Sequence, residues 1–366
     1  MPTLADAWIH NLSPFAIRIS GQFGIRWYGL AYAAGFLVAL FVARTLAKRK
    51  LIQLNQQQVG DFIIYCIFGV LVGGRLGYIL FYEPQAITIF TKSIPYWEVL
   101  AINHGGMASH GGMIGVIIAM ILFSRKYKIS PFHLFDITAL IVPFGFFFGR
   151  IANFINGELL GYPCPADFPL AVKFPQEINN WGIDKMTQAV DAAQAIGLTK
   201  HEWMDIVTNS QQSNSPGTVD INFLKNRLVE LIQNGNQTVI HVVKPLLIPR
   251  YPSQLYQAAA EGIVLGSALW ILWYFIFRKG KFKNRPGLTG TAFLIIYGIL
   301  RIITEMWRLP DEGIPRTLGL SRGQLLSTAM VAAGIIITIY LLKKSPKTTN
   351  PTSTSTNDNP TPFNRD

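Results

Sequence analysis

The sequence predicts an all-α polytopic membrane protein with seven transmembrane helices and a small external head domain. Three observations lead there. First, 50% of the 366 residues are hydrophobic and only 14% are charged, against about a quarter charged in soluble domains, and the mean hydropathy is +0.31. Second, seven stretches approach the ~20 mostly apolar residues that a bilayer-spanning helix needs to satisfy its own backbone. They are Trp27–Ala47, Val59–Tyr82, Gly105–Phe123, Leu134–Ile155, Gln254–Phe277, Gly287–Met306 and Leu325–Leu342. Third, a polar stretch, Asn156–Arg250, separates the fourth from the fifth and is too long for a turn.

Charge placement predicts the orientation. Lys and Arg accumulate in cytoplasmic loops. Here Arg44, Lys48, Arg49 and Lys50 follow the first span, and Arg125, Lys126 and Lys128 the third. Arg278, Lys279, Lys281, Lys283 and Arg285 follow the fifth, and Lys343, Lys344 and Lys347 the seventh. Every alternate loop is basic, which places the N-terminus outside and the C-terminus in the cytoplasm. The net charge of +12 therefore points to no nucleic-acid partner, and no aromatic-interleaved basic stripe supports one.

The expected organisation is an external N-terminal segment 1–26, spans one to four in 27–155, the head in 156–250, spans five to seven in 251–344, and a cytoplasmic tail 345–366. Met1–Arg26 lacks a basic start and a small-residue cleavage site, so the first span is expected to be retained. In the head, Asp184–Ile196 and Phe223–Gln233 have helical spacing, Val239–Val243 reads as a short strand, and Gln211–Gly217 as a loop. Ser345–Asp366, rich in Ser, Thr, Pro and Asn, is expected to be disordered. Two cysteines, Cys66 and Cys164, exclude a disulfide-dense scaffold, and a four-cysteine zinc site or iron–sulfur cluster held by this chain alone.

An ionisable group inside a span is costly, which makes it a functional hypothesis by default. Several fall at one depth, near the outer ends of their spans: Arg75, His110, Arg150, Asn153, Arg301 and Glu305, with Tyr28, Tyr256 and Tyr297 at similar depths. Each has a plainer explanation alone. An arginine can snorkel, a histidine can pack, Trp27 and Tyr28 can belong to an interfacial belt, and Arg301 and Glu305 can neutralise each other at i,i+4. Asp136, at the inner end of span four, reads as a helix-terminus residue. Their convergence is harder to dismiss. Arg150 and Asn153 share a helix face, a geometry suited to a polyanion. The glycine pairs of Gly105-Gly106 and Gly111-Gly112 allow close approach of a helix or of a ligand.

In these segments the sequence resembles the prolipoprotein diacylglyceryl transferase family. The most specific match is Gly149-Arg150-Ile151-Ala152-Asn153-Phe154-Ile155-Asn156-Gly157-Glu158, continuing to Gly161. Arg26-Trp27-Tyr28-Gly29-Leu30, Gly73-Gly74-Arg75-Leu76-Gly77-Tyr78, the histidine motif up to His110-Gly111-Gly112, Pro252-Ser253-Gln254-Leu255-Tyr256, and Tyr297-Gly298-Ile299-Leu300-Arg301 through Glu305 complete it in order across all seven spans. There are two departures. The histidine motif is doubled at His104 and His110, with Ser109 where an aromatic residue is expected, and the family histidine is assigned to His110. The head is longer than the family's usual insertion, so nothing is carried over to Trp181–Val243.

The resemblance implies a multi-pass protein of the bacterial inner membrane that uses no cofactor and no metal. Its substrates would be phosphatidylglycerol, a membrane lipid, and a prolipoprotein signal peptide with a lipobox cysteine; the diacylglyceryl group passes to that cysteine and glycerol phosphate leaves. His110, Arg150 and Arg301 are the implied catalytic residues, and Tyr28, Arg75, Asn153, Gly161, Gln254, Tyr256, Tyr297 and Glu305 the implied substrate-binding ones. The chemistry of the residues agrees with this. A neutral imidazole can deprotonate a thiol, and two guanidiniums can hold a departing phosphate. The nucleophile belongs to the substrate, so the chain needs no catalytic serine, metal cluster or nucleotide loop of its own, and neither HExxH nor GxxxxGK[ST] is present. Two rivals remain. A transporter for an anionic or lipid substrate would place ionisable groups through the full membrane depth, whereas the inner halves here are nearly uncharged. A non-catalytic scaffold would leave His110, Arg150 and Arg301 without a shared purpose.

Overall fold

The computed structural model describes residues 7–20, 23–92, 94–101, 106–209, 220–280, 282, 285–310 and 319–343. His104, the Gln211–Gly217 loop, Lys281, Lys283, Lys344 and the 345–366 tail lie outside the described residues.

The protein is mostly helical. Six described helices are long and apolar enough to cross a membrane: α1 Trp27–Lys48, α2 Gln56–Tyr82, α4 Pro131–Asn156, the composite helix Ser253–Arg278, Leu288–Trp307, and α13 Arg322–Lys343. The helix α3, Ser109–Tyr127, falls where Gly105–Phe123 was expected but is not among the six. Its 19 residues open with Ser109, His110 and two glycines and carry Arg125 and Lys126 in the last turn, so its apolar stretch is short.

Local chemistry sets the helix ends. Asn55 and Gln58 form a capping box at the start of α2, which satisfies two otherwise orphaned amides. Pro131 begins α4, where its missing N–H costs nothing. Asp136 accepts from the amides of Gly287 (2.7 Å) and Gly290 (2.9 Å), so it caps α12, Leu288–Thr304, in the helix-terminus role its position suggests.

Helices surrounded by lipid gain little from the hydrophobic effect between themselves and associate through close packing of small residues. Helices α2 and α3 do this with glycine against glycine. A Cβ at Gly77 would come within 2.7 Å of the Gly111 Cα, and one at Gly69 within 2.6 Å of the Gly115 carbonyl oxygen. The glycines after His110 thus serve the helix–helix contact.

The fifth apolar helix is not a uniform α-helix. It runs as α10 Ser253–Gln257, a π segment Ala258–Val264, α11 Leu265–Leu272 and a second π segment Trp273–Arg278. Such widened turns occur preferentially at functional sites, and the first one carries Glu261.

Short strands modify the all-α expectation. The N-terminal segment forms an antiparallel hairpin, β2 Phe15–Ser20 with β3 Phe23–Arg26. Strand β1, Trp8–Ile9, pairs in parallel with β4, Val172–Lys173, which pairs antiparallel with β5, Pro249–Arg250. These join the N-terminal segment to the region following α4. That region has its own apolar core around Trp203, Met186, Leu224, Leu228 and Ile232, to which Ile9 contributes.

Within it, α8 Ile221–Gln233 covers the expected Phe223–Gln233 helix. Asp184–Ile196 is broken into α5 Ile183–Gln188, a 3-10 turn and α6 Ala193–Ile196. Val239–Val243 is not a strand but part of a helix, α9 Gln237–Val243. The Asn236 side chain accepts from the Val239 amide at 3.1 Å, and Val239 and Val243, four apart, are both fully buried. This N-cap and burial at helical spacing outweigh the strand preference of β-branched residues.

Candidate active site

Five charged side chains from α4, the π segment, α12 and the turn that follows α12 form a chain of alternating sign. Arg150 donates its Nε to Glu261 Oε2 at 2.9 Å, and its Nη2 stands 2.9 Å from the same oxygen. The other carboxylate oxygen, Oε1, is 3.7 Å from Arg301 Nη1. Arg301 Nη2 is 2.8 Å from Glu305 Oε2, and Arg308 Nη1 is 3.8 Å from that oxygen. The Ser321 hydroxyl donates to Glu305 Oε1 at 3.3 Å. Glu261 is fully buried, and Arg301, Glu305 and Arg308 are buried. Arg150 and Arg301 share the Glu261 carboxylate, and Arg301 and Arg308 both face Glu305. Buried charges persist only when paired, and guanidiniums fixed in a low-dielectric site are suited to binding an anion.

A second, uncharged-to-acidic network adjoins the first. Helix α4 ends in a left-handed Gly157 (φ +67°), with the amides of Gly157 and Glu158 bonded back to Phe154 and Asn153. This is the Schellman arrangement, and it folds Glu158 over the last turn. Its Oε2 accepts from Asn153 at 3.2 Å and lies 3.4 Å from the Tyr28 hydroxyl, while Oε1 accepts from Asn156 at 3.1 Å. Asn153 also donates to Tyr28, and Gln254 donates to the Glu158 carbonyl. Arg150 and Asn153 do share a face of α4, but they turn to different partners.

The remaining candidates have more structural surroundings. Arg75 donates to the carbonyls of Glu98, Val99 and Gly106 at 2.5, 3.0 and 3.3 Å, so it organises the segment between α2 and α3. Gly161 is wedged between the backbones of Tyr251 and Trp307, and its carbonyl accepts from Arg250 at 3.1 Å. Tyr256 meets Trp307 edge-on, and Tyr297 stacks on Phe293 and tilts against Phe146. His110 is exposed in the first turn of α3. Among the described residues no hydrogen bond or ion pair links it to the arginine–glutamate chain.

The family model described as prolipoprotein diacylglyceryl transferase matches residues 14–340. The chain belongs to this family. A phosphatidylglycerol–prolipoprotein diacylglyceryl transferase of Bdellovibrio bacteriovorus is 46% identical over 335 residues, covering 90% of this chain and 93% of the relative. Enzymes of the same name from Rhodospirillum rubrum (33% identity, 92% and 94% covered) and Neisseria gonorrhoeae (36%, 89% and 95%) are similar throughout as well. As a member of the prolipoprotein diacylglyceryl transferase family, the protein is a multi-pass membrane transferase.

The residue that sequence reasoning missed is Glu261, on which both candidate catalytic arginines converge. A signal was available, since it is the sole acidic residue of Ser253–Arg278 and ionisable groups in spans are functional by default. Glu158 had no such signal. Its role depends on the turn at Gly157, which the sequence places but does not aim.

Proposed function

We propose that this protein transfers the diacylglyceryl group of phosphatidylglycerol to the thiol of the lipobox cysteine in a prolipoprotein signal peptide. The cysteine sulfur attacks the glyceryl carbon that carries the phosphate. A carbon–sulfur bond forms, the carbon–oxygen bond breaks, glycerol phosphate leaves with the bonding electrons, and the thiol proton goes to a base. His110, exposed at the start of α3, is that base.

The observation that carries the reading is the convergence of Arg150 and Arg301 on the one buried carboxylate of Glu261. Held in this way, two fork-shaped guanidiniums from different helices are fixed side by side on one carboxylate, and two such groups match a phosphate. Charge stabilisation by fixed donors in a water-poor site is the most effective contribution to such a step. Tyr28, Asn153, Glu158 and Gln254 form the adjoining wall, with Gly161, Tyr256, Tyr297 and Glu305 beside it. Arg75 acts from a distance by ordering the segment between α2 and α3.

In this reading α3 is a seventh span, the N-terminus and the 156–250 head are external, and the C-terminus is cytoplasmic. The alternating basic loops support that orientation. It brings the site to the leaflet where a translocated precursor presents its cysteine. The test is complementation: expression in a bacterium depleted of its own enzyme for this step should restore diacylglyceryl-modified precursor, whereas an Arg150→Ala, Arg301→Ala double variant at matched expression should leave the precursor unmodified.

A further inference from the structure

Along the start of the fifth apolar helix, Gln254, Gln257 and Glu261 are spaced three and four apart, which places them on one face. The flanking members define where this face looks. Gln254 donates to the Glu158 carbonyl, and Glu261 engages Arg150 and Arg301. Gln257 therefore lies between the Glu158 network and the arginine–glutamate chain. It is fully buried, and both its Oε1 and its Nε2 lack a hydrogen-bond partner among the described residues. Gln254 Oε1, Glu261 Oε1 and Arg301 Nη1 share that condition.

Burying a polar group without a partner is expensive, and one orphaned carboxamide amid further orphaned donors and acceptors marks a place for a ligand with both. A carboxamide offers a donor and an acceptor side by side. The head of phosphatidylglycerol beyond its phosphate is a vicinal diol, in which each hydroxyl can donate and accept. We propose that Gln257 is a specificity-determining residue that reads this diol, its Oε1 accepting from one hydroxyl and its Nε2 donating to the other, while Arg150 and Arg301 hold the phosphate. The inference rests on the function proposed above and adds to it the choice among lipid headgroups: an apolar head would leave the buried amide unpaired, a stronger basis for rejection than loss of apolar contact.

The test compares phosphatidylglycerol with phosphatidylpropanol, which keeps the phosphate and acyl chains but has no free hydroxyl, as donors to a lipobox peptide in detergent with purified full-length protein. The wild-type protein should favour phosphatidylglycerol in kcat/KM by about tenfold or more, the effect of leaving one buried polar group unpaired. In Gln257→Leu that ratio should collapse toward one. Gln257→Asn, which keeps the amide but withdraws it by one methylene, should lie between and serves if the leucine variant does not accumulate. Equal use of both lipids by the wild type would overturn the inference without any variant. So would a Gln257 variant that loses activity on both lipids in equal measure, since that marks a structural role. Thioether product without headgroup preference defeats this inference alone, whereas no product from either lipid defeats the proposed function as well.

Discussion

Glu261 receives the Nε and Nη2 of Arg150 on a single carboxylate oxygen, each at 2.9 Å. The second oxygen is thereby left facing Arg301 at 3.7 Å, so one buried acid orients two guanidiniums from different helices. Without it they would repel each other in a medium that screens poorly.

Glu261→Gln keeps the shape and removes the charge. Turnover should fall roughly a hundredfold, the order expected when reacting groups are displaced by about 1 Å. Breaking a buried pair also costs about 3–5 kcal/mol, so the thermal midpoint in detergent should drop. Turnover within a fewfold of wild type would show that the arginines need no such bridge.

Arg150→Lys and Arg301→Lys should each lose far more activity than a conserved charge suggests, because lysine lacks the planar fork that grips a phosphate or carboxylate at two points. Arg75→Lys should behave differently. Its three carbonyl contacts tie down the segment between α2 and α3, so easier proteolysis there should accompany an intermediate loss of rate. Near-wild-type rates for both Arg150→Lys and Arg301→Lys at matched expression would remove the phosphate-holding role.

His110→Gln should abolish transfer while lipid binding, measured by retention of labelled phosphatidylglycerol, persists. His104→Gln should be much milder. The opposite pattern would reassign the base to the other copy of the doubled motif.

Away from the spans, His10 is fully buried between the Phe154 and Phe174 rings, with Trp8 edge-on. Burial lowers its pKa from 6.5 to about 4. The unfolded chain thus takes up a proton near pH 6.5 that the folded chain refuses until about pH 4. Stability attributable to His10 is complete above pH 6.5, falls as pH drops toward 4, and changes no further below. The total is on the order of 3 kcal/mol. His10→Phe, which keeps aromatic packing, should flatten this part of the pH–stability curve measured by thermal unfolding; an unchanged slope would assign it to other groups.

Apolar run length was enough to find the helices that can span a membrane, because a lipid-surrounded helix has to be apolar along most of its length. It was less informative for α3, where His110, the glycines and the terminal basic pair shorten the apolar part. Local signals competed at Val239–Val243, where β-branched residues suggested a strand and the Asn236 cap made a helix. The β2–β3 hairpin was legible and was missed, since Phe15, Ile17 and Ile19 alternate with Ala16, Arg18 and Ser20, the period of a strand. At the site, the residue types were legible and their partners were not. Arg150 and Asn153 were placed on one face, but their separation into two networks depends on Glu261, 111 residues further along the chain, and on the backward turn at Gly157.

The most direct measurement incubates purified protein with phosphatidylglycerol and a synthetic lipobox peptide, and follows both products by mass. The expected product is a peptide heavier by one diacylglyceryl group in thioether linkage, with one glycerol phosphate released per peptide modified. An unmodified peptide in the presence of folded protein, or loss of glycerol with the phosphate retained on the lipid, would contradict it.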